Sequence, residues 1–453
     1  CGHAFEKVLS DVIARWNRLH GKDVFFLTGV DENAQKNVQA AEKEGMKVRE
    51  FIDKNSALFV ELCKSLNISY DDFIRTTAKE HAKIVQKIIS KVIDNGDIYK
   101  SEYEGLYCIG CESYLTEKDL VYGKCPEHNK EPESRREEAY FFRLSKYKSQ
   151  LQKIIPKYVV PESKQNEVLA RMNEELTDIC ISRKGAEIGV DFPNDPIFKV
   201  WVWVDALINY ISGLKDKEKR YWPADVHVIG KGINWFHSVI WPALLLSAGC
   251  KLPKTLVVHG YLNIGGKKMS KSLGNTLDPL ELAGKYSADT IRYSLMRNSI
   301  FEDSDYSEEL IITRHNNELA NKLGNLISRV SALIEIHGME KTNPISSKKY
   351  ILNVKKHFKK YEVDKALNEI FAFVDYCNLY VQENKPWETK DKKILWQLAN
   401  AIKDITILLN PFMPSTAEKI SRTFKFEISL KSLQKPINPV SVKKADILFM
   451  RIQ

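Results

Sequence analysis

Up to residue 258 the chain alternates helical periodicity with short apolar runs, and this alternation restricts the possible folds more than any other feature. A continuous run, Val24-Phe25-Phe26-Leu27, ends at Thr28-Gly29, as expected of a buried parallel strand. Two more apolar runs, Val226–Ile229 and Thr255–Val258, flank a helical segment at 233–249. Before the first run, the apolar residues share one helical face: Phe5, Val8, Leu9, Val12, Ile13 and Trp16. Helix, strand, helix and strand in this order predict a doubly wound α/β sheet.

The alternation is interrupted at residues 101–165, which we interpret as an insertion between two halves of the sheet domain. This segment holds a cysteine cluster, the charged stretch Glu131–Glu138 and a basic helical stretch around Lys146–Lys157. After about Ser304 the strands stop, and the remaining periodicity predicts a bundle of long amphipathic helices: 307–335, 350–384 and 391–424. We expect five consecutive parts: 1–100, first half of the sheet domain; 101–165, insertion; 166–265, second half; 266–304, a loop and connecting region; 305–453, helical domain.

Bulk properties fit a globular protein of two or three domains, since 453 residues exceed one ordinary core. No apolar run approaches the roughly 20 residues that span a bilayer, and the start has no signal-peptide pattern, which predicts the cytosol. The net charge of +9 would suit a polyanion, but a Lys-rich composition that maintains solubility explains it better. The chain opens at Cys1 without Met, so we expect it to begin inside a longer protein.

Three of the eight cysteines cluster with a histidine as Cys108-x2-Cys111-x13-Cys125-x2-His128. Two short chelating pairs separated by a loop suit one tetrahedral zinc ion. Three thiolates and an imidazole leave no open position, so the zinc would be structural. The alternative is a disulfide or a chance cluster.

A basic, glycine-flanked loop is the most specific signal in the sequence. After Gly265-Gly266 comes the string Lys267-Lys268-Met269-Ser270-Lys271-Ser272. Lysines three apart on a mobile loop can close over a triphosphate and offset charge on departing pyrophosphate. A solvated basic loop is the alternative. At the other end, Gly2-His3 begins a predicted helix, where backbone N–H groups favour phosphate, although such a dipeptide is more often a turn or cap.

Lys268–Ser272 resembles the second signature of class I aminoacyl-tRNA synthetases, and Gly2-His3 resembles the last two residues of the first signature, His-Ile-Gly-His. The first His of that signature lies outside this chain. Nearly the whole chain is similar to the methionyl-tRNA synthetase family, through these segments: Phe25–Asp31, Ile68–Thr76, Glu138–Leu144, Val202–Tyr210, Trp222–Lys231 and Trp235–Pro242. The resemblance implies a Rossmann-type catalytic domain, a single zinc knuckle and an α-helical anticodon-binding domain.

The resemblance also implies catalytic roles. His3, Lys268 and Lys271 would stabilise attack of the methionine carboxylate on the α-phosphate of ATP, with Gly2, His3 and Lys271 binding the nucleotide. Magnesium would accompany ATP. Arg183, in Ile181-Ser182-Arg183, matches a basic position near the reacting phosphate.

For the amino acid, Asp31 stands where the family pairs a carboxylate with the substrate ammonium. Trp203, Ala206 and Tyr210 match the side-chain pocket, and His237 supplies its polar wall. An aromatic wall suits a polarizable thioether, and Tyr or His can donate weakly to sulfur. Without the resemblance, the aromatic residues would be interpreted as core.

Two segments depart from the family pattern. The usual Asp-Glu-His-Gly stands as Asp31-Glu32-Asn33-Ala34, and the usual Gly-Lys-Asp-Ile stands as Gly230-Lys231-Gly232-Ile233. The second departure removes a carboxylate close to the family's active site.

In the helical third, Asn321, Asn325 and Arg329 fall at i, i+4 and i+8 and share one helix face. The resemblance implies that this face meets the anticodon. Asn378 and Pro386-Trp387 match a second anticodon element, in which the Trp offers a stacking surface to a base. A helix start at Pro386 with Trp387 packed in the core is the alternative.

The expected function is therefore activation of L-methionine with ATP and its transfer to tRNA(Met). The rival within the class is another amino acid, such as leucine, valine or cysteine. The rival outside it is a tRNA-binding or regulatory protein that has lost activation. Because the similarity to the family's core ends near Leu448-Phe449, we expect a monomer without a further dimerisation domain.

Overall fold

The computed structural model describes residues 2–111, 113–115, 117–174, 176–268, 277–433 and 435–453. The chain forms two compact units. Unit 1 comprises Cys1–Val24, Glu61–Ser69 and His259–Gln453, and unit 2 comprises Phe25–Val60 and Tyr70–Val258. The boundaries of the five consecutive parts stay predictions.

Helices predominate. The α-helices are α1 (Gly2–Leu19), α2 (Gln35–Lys43), α3 (Val48–Ser65), α4 (Lys79–Asp94), α5 (Lys148–Tyr158), α6 (Glu162–Glu174), α7 (Val202–Ser212), α8 (Glu218–Tyr221), α9 (Trp241–Ser247), α10 (Pro279–Lys285), α11 (Ala288–Met296), α12 (Glu308–Arg314), α13 (Asn325–His337), α14 (Lys348–Phe358), α15 (Val363–Asn384), α16 (Pro386–Thr389), α17 (Lys392–Leu409) and α18 (Pro414–Phe424). Two segments are π-helical, Phe236–Ile240 and His315–Gly324. No helix among the described residues combines the length and apolarity that crossing a bilayer requires.

Strands are short. They are β1 (Leu27–Val30), β2 (Asp72–Arg75), β3 (Ile98–Cys108), β4 (Ser113–Leu115), β5 (Glu133–Phe142), β6 (Val159–Val160), β7 (Ile179–Cys180), β8 (Ser182–Lys184), β9 (Asp191–Phe192), β10 (Asp195–Val200), β11 (His227–Gly230), β12 (Leu256–His259), β13 (Leu262–Ile264), β14 (Lys267–Lys268) and β15 (Ser304–Asp305).

In unit 2, parallel pairing occurs in two groups. Strand β1 pairs with β2, placing Leu27 opposite Asp72, and β12 pairs with β6 in the sheet ordered β11-β12-β6. Most of the pairing in the predicted insertion is antiparallel instead, in a sheet ordered β4-β3-β5-β7 that also includes β7 after residue 165; β6, at the end of the predicted insertion, belongs to the parallel group. The predicted α/β class is confirmed, with the parallel strands shared between two small sheets.

The first strand begins later than its apolar run predicts. Phe26 lies before β1 because its backbone bonds with Asp71: Phe26 N–H donates to Asp71 Oδ2 at 2.6 Å, and Asp71 N–H donates to Phe26 O at 2.8 Å. Thr28 and Gly29, predicted to end the strand, lie inside it. A Cβ at Gly29 would approach Ile74 O to 2.1 Å, so this position requires glycine for the strands to meet.

Unit 1 is mainly helical, as predicted. The apolar face of α1 is buried, from Phe5 to Trp16. The segments predicted as single helices at 350–384 and 391–424 each contain two helices. The first breaks at Tyr361, where φ is +59°, and the second breaks near Pro411 and Pro414, because proline cannot donate a helical hydrogen bond.

A buried charge holds part of unit 1 together. The fully buried Arg292 side chain lies 2.7 Å from Asp11 Oδ2 and donates to the carbonyls of Pro411 and Phe412. Burial would raise the pKa of Asp11, but Arg292 and Arg15 hold that pKa below its usual value. The ion pair and carbonyl bonds together satisfy a guanidinium that would otherwise be costly to bury.

Candidate functional site

Three predicted pocket residues lie on helix α7 of unit 2. Trp203, Ala206 and Tyr210 are each half-buried, and their spacing places them on one side of the helix. The Trp203 ring stacks on Phe236, with centroids 4.1 Å apart and planes 11° apart. The side of α7 that these residues share is therefore largely aromatic.

The predicted polar wall joins this aromatic group directly. Tyr210 Oη lies 2.7 Å from His237 Nε2, and His237 Nδ1 lies 3.0 Å from the carbonyl of Ile233. Since a carbonyl can only accept, Nδ1 carries a proton, and in the neutral ring the Tyr210 hydroxyl donates to Nε2. His237 lies in the π-helical segment, a distortion that often marks functional sites.

A second histidine lies behind Tyr210. The centre of the His227 ring lies 4.1 Å from the centre of the Tyr210 ring. Burial, with a smaller contribution from His237, lowers the pKa of His227 to about 3, so this imidazole stays neutral. Neutral imidazole and aromatic rings suit an uncharged, polarizable side chain.

Asp31 follows strand β1. Its Oδ1 lies 3.4 Å from Thr76 Oγ1, which donates to it. The residue keeps an exposed surface, yet desolvation of its carboxyl group by surrounding protein atoms, followed by the nearby Asp205 carboxylate, raises the pKa of Asp31 to about 7. An incoming cation would offset both effects and favour the ionised form.

The predicted metal ligands converge in unit 2, with ligand atoms all within 4.8 Å of one another. Cys111 Sγ lies 3.5 Å from Cys125 Sγ, and His128 Nδ1 lies 3.4, 3.7 and 3.9 Å from the sulfurs of Cys111, Cys125 and Cys108. A tetrahedral zinc site has about 3.8 Å between sulfurs and about 3.5 Å from sulfur to nitrogen. These four residues could hold a metal ion.

The backbone supports that convergence. A Cβ at Gly110 would approach the His128 ring to 2.5 Å, so the small residue lets the imidazole reach the thiols. Cys108 ends strand β3, and Asn129 N–H donates to Cys125 O at 2.7 Å.

The cluster of Cys108, Cys111, Cys125 and His128 contacts helix α7. Trp203 Nε1 donates to the carbonyl of Cys111 at 3.0 Å. Beside the cluster, the Arg183 guanidinium lies 5.0–5.3 Å from three ring centroids: Tyr107, Tyr114 and Trp201. Arg183 thus ties the cysteine-bearing strand to the segment before α7 by cation–π contacts, and its phosphate role stays a prediction.

The predicted phosphate-binding residues belong to unit 1. Gly2 is the first residue of α1 and His3 is exposed, in agreement with a helix start. Near them, Lys7, His259 and His3 outweigh burial and lower the pKa of Glu6. The carboxylate of Glu6, in the first turns of α1, therefore lies close to the basic side chains of His3, Lys7 and His259.

The basic loop is described only at its start. Gly265 and Gly266 both have positive φ, +57° and +72°, as a two-residue hairpin between β13 and β14 requires. Lys268 pairs with Asn263 in that hairpin. Lys271, with the rest of 269–276, lies outside the described residues.

The predicted anticodon residues lie on the helical part of unit 1. Asn321 and Asn325 are exposed, and Arg329 is half-buried. The Arg329 guanidinium lies 5.0 Å from the centre of the Trp387 ring, which is 38% exposed and so is not a core residue. Asn378 Nδ2 donates to Lys322 O at 3.3 Å, which ties α15 to the helix bearing Asn321 and Asn325.

Sequence reasoning missed several residues around Asp31. Asn33 and the fully buried His81 both hydrogen-bond to Asp205, which lies on the face of α7 opposite Trp203. Asp205 lies within the segment quoted for the pocket, but only its contacts identify it. His81 offers no local signal, because it meets Asp205 from 124 residues away.

Comparison with known proteins identifies the family. The model described as tRNA synthetases class I (M) matches residues 1–133 and 128–331, and the model described as anticodon-binding domain of tRNA ligase matches 346–447. The chain is 41% identical to the methionine–tRNA ligase of Caldanaerobacter subterraneus, and 39% identical to that of Clostridium acetobutylicum. Both alignments cover 100% of this chain and 76% of the relative.

Solved structures agree. The Mycobacterium tuberculosis methionyl-tRNA synthetase bound by methionyl-adenylate superposes with a TM-score of 0.93 at 34% identity, covering 98% of this chain and 95% of that one. Its apo form gives a TM-score of 0.87 at 31% identity, covering 100% and 95%. The chain belongs to the methionyl-tRNA synthetase family of class I aminoacyl-tRNA synthetases.

Proposed function

We propose that this chain activates L-methionine with ATP to form methionyl-adenylate and then transfers the methionyl group to tRNA(Met). Family membership supports the reaction, and the methionyl-adenylate in the Mycobacterium tuberculosis relative supports its intermediate. The neutral aromatic pocket beside a titratable Asp31 supports the substrate.

Methionine would be held at both of its ends. Asp31 would pair with the α-ammonium group, and Trp203, Ala206, Tyr210 and His237 would enclose the thioether. The Tyr210 hydroxyl donates its proton to His237 Nε2, so these two polar groups are hydrogen-bonded to each other. A pocket without a formal charge discriminates against ionised side chains by desolvation.

In the first step a methionine carboxylate oxygen attacks the α-phosphorus of ATP, and pyrophosphate leaves. His3, Lys268 and Lys271 would stabilise negative charge developing on the phosphates, with Gly2 allowing close backbone approach. Magnesium, when bound with ATP, would neutralise part of the triphosphate charge. No covalent bond to the protein is required.

In the second step a terminal ribose hydroxyl of tRNA attacks the adenylate carbonyl carbon and releases AMP. Asn321, Asn325, Arg329, Asn378 and Trp387 would recognise the anticodon. Exposure of both asparagines and of the Trp387 ring supports this role, because an unpaired base needs an accessible stacking surface. The monomeric state stays a prediction.

The metal would be one structural zinc ion bound by Cys108, Cys111, Cys125 and His128. The sulfur-to-sulfur and sulfur-to-nitrogen distances, close to those of a tetrahedral site, support zinc. All four positions would be filled by protein, so the ion would stabilise the fold and take no part in the reaction. Metal analysis that finds no zinc in freshly purified protein would contradict this assignment.

The observation that carries the proposal is the aromatic group on α7 with its Tyr210–His237 hydrogen bond. It lies in the same unit as Asp31, whose carboxyl interacts with Asp205 of that helix. ATP–pyrophosphate exchange with the full-length protein tests it, comparing methionine with leucine, valine and cysteine. Exchange should depend on methionine. Stronger exchange with another of these amino acids would reassign the substrate, and no exchange with any would favour a protein that has lost activation.

A further inference from the structure

A chain of hydrogen bonds links the residues after β1 to the interior face of α7. Asn33 Nδ2 donates to Asp205 Oδ2 at 2.7 Å and to the carbonyl of Thr76 at 3.1 Å. His81 Nε2 donates to Asp205 Oδ1 at 2.6 Å, and His81 Nδ1 lies 2.6 Å from Ser212 Oγ. Both carboxylate oxygens of Asp205 therefore have partners.

The end of this chain formed by Asp205 and His81 is sealed from solvent, whereas Asn33 is half-buried. The side chains of Asp205 and His81 are both 0% exposed. A buried carboxylate is tolerated when its oxygens are hydrogen-bonded, and Asn33 and His81 each bond one oxygen of Asp205. Because no substrate can reach Asp205 and His81, these two residues act through their neighbours.

Two neighbours belong to the proposed methionine site. Asp205 precedes Ala206 on α7, so anchoring its carboxylate to Asn33 and His81 fixes the rotation of the pocket helix. Asp31, two residues before Asn33, contacts the hydroxyl of the same Thr76 whose carbonyl accepts from Asn33. The carboxylates of Asp31 and Asp205 are thus held on one short network.

The charges around Asp31 come from two elements. Desolvation and then Asp205 on α7 raise the pKa of Asp31, whereas Lys36 on α2, the backbone N–H of Asn33 and the Thr76 hydroxyl lower it. The ionisable group bonded to Asp205 is His81 on α4. Asn33, an amide, bonds to Asp205 without offsetting its charge.

We propose that Asn33, Asp205 and His81 form a positioning unit that holds the pocket helix α7 against the segment bearing Asp31, and that this unit sets the pH range in which methionine binds. The inference rests on the proposed pairing of Asp31 with the substrate ammonium. It assigns a new role to three residues that do not touch the substrate. Desolvation and the negative charge of Asp205 favour the protonated carboxyl of Asp31, and an arriving ammonium displaces that proton.

Equilibrium dialysis with labelled methionine between pH 5.5 and 8.5 tests this. In Asp205→Asn, loss of the carboxylate should move the acid midpoint of binding down by about half a pH unit or more. Asn33→His should act in the same direction at low pH, because a protonated imidazole would offset Asp205. This second variant keeps the test decisive if Asp205→Asn does not fold.

Glu80→Gln is the matched control. It removes a carboxylate next to His81 on α4, but the Glu80 side chain is 77% exposed, so the midpoint should not move. A wild-type protein without an acid midpoint would refute the role of Asp31 itself. A wild-type midpoint that folded Asp205→Asn or Asn33→His leaves unchanged would overturn the positioning unit alone.

Discussion

Replacing Trp387 with alanine separates anticodon recognition from amino-acid activation. The Trp387 ring is 38% exposed and lies 5.0 Å from the Arg329 guanidinium, so it offers a face to a base while its position is held by a cation. Loss of one base-stacking surface costs roughly 1–3 kcal/mol, which corresponds to about 5- to 150-fold in tRNA charging. The cation–π contact itself contributes about 0.5–1 kcal/mol to stability, too little to unfold a domain.

The assay pairs tRNA charging with methionine-dependent pyrophosphate exchange measured without tRNA, on one folded preparation. Trp387→Ala should lower kcat/KM for charging and leave exchange close to wild type. Tyr376→Ala is the matched control, since Tyr376 is an aromatic residue of similar exposure (41%) on α15. If exchange falls together with charging, or if a changed anticodon in the tRNA does not abolish the difference between the proteins, Trp387 does not read the anticodon.

Three further perturbations test the activation site. Lys271→Ala should slow adenylate formation about 100-fold or more while methionine binding stays nearly intact, because the lysine acts on phosphate charge. Single-turnover kinetics that show weakened methionine binding with an unchanged rate of adenylate formation would contradict this role. Chelation of the metal should break the hydrogen bond from Trp203 to the Cys111 carbonyl. Methionine binding should then weaken about two- to tenfold, which corresponds to the loss of one hydrogen bond. Unchanged binding in metal-free, folded protein would exclude this link. With the pKa of Asp31 at about 7, the ionised fraction of its carboxyl falls about tenfold from pH 8 to pH 6. Methionine affinity should fall by the same factor. A methionine affinity that calorimetric titration finds constant over this pH range would refute the pairing of Asp31 with the ammonium.

Local patterns predicted what local chemistry determines. The spacing of Cys108, Cys111, Cys125 and His128 identified a cluster whose ligand atoms meet in space, because two chelating turns leave little freedom. The helical spacing of its apolar residues identified the buried face of α1, because a helix that packs on one side needs apolar residues at that spacing.

Local sequence patterns did not predict the features that depend on long-range contacts. The run ending at Leu27 looked like a strand, but Asp71 takes the backbone bonds of Phe26 and delays the strand. His81 and Asp205 carry no sequence signal for their meeting, which depends on how α4 packs against α7. The raised pKa of Asp31 follows from desolvation by surrounding protein atoms and from the nearby Asp205 carboxylate, and could not be read from the residue itself.

Isolation of the reaction intermediate tests the central claim most directly. The full-length protein is incubated with ATP, magnesium and labelled methionine without tRNA, freed of small molecules by rapid gel filtration, and then mixed with tRNA(Met). We predict that methionine stays with the protein as its adenylate and passes to tRNA without further ATP. If no adenylate is retained, or if transfer occurs only when fresh ATP is supplied, the two-step account is contradicted.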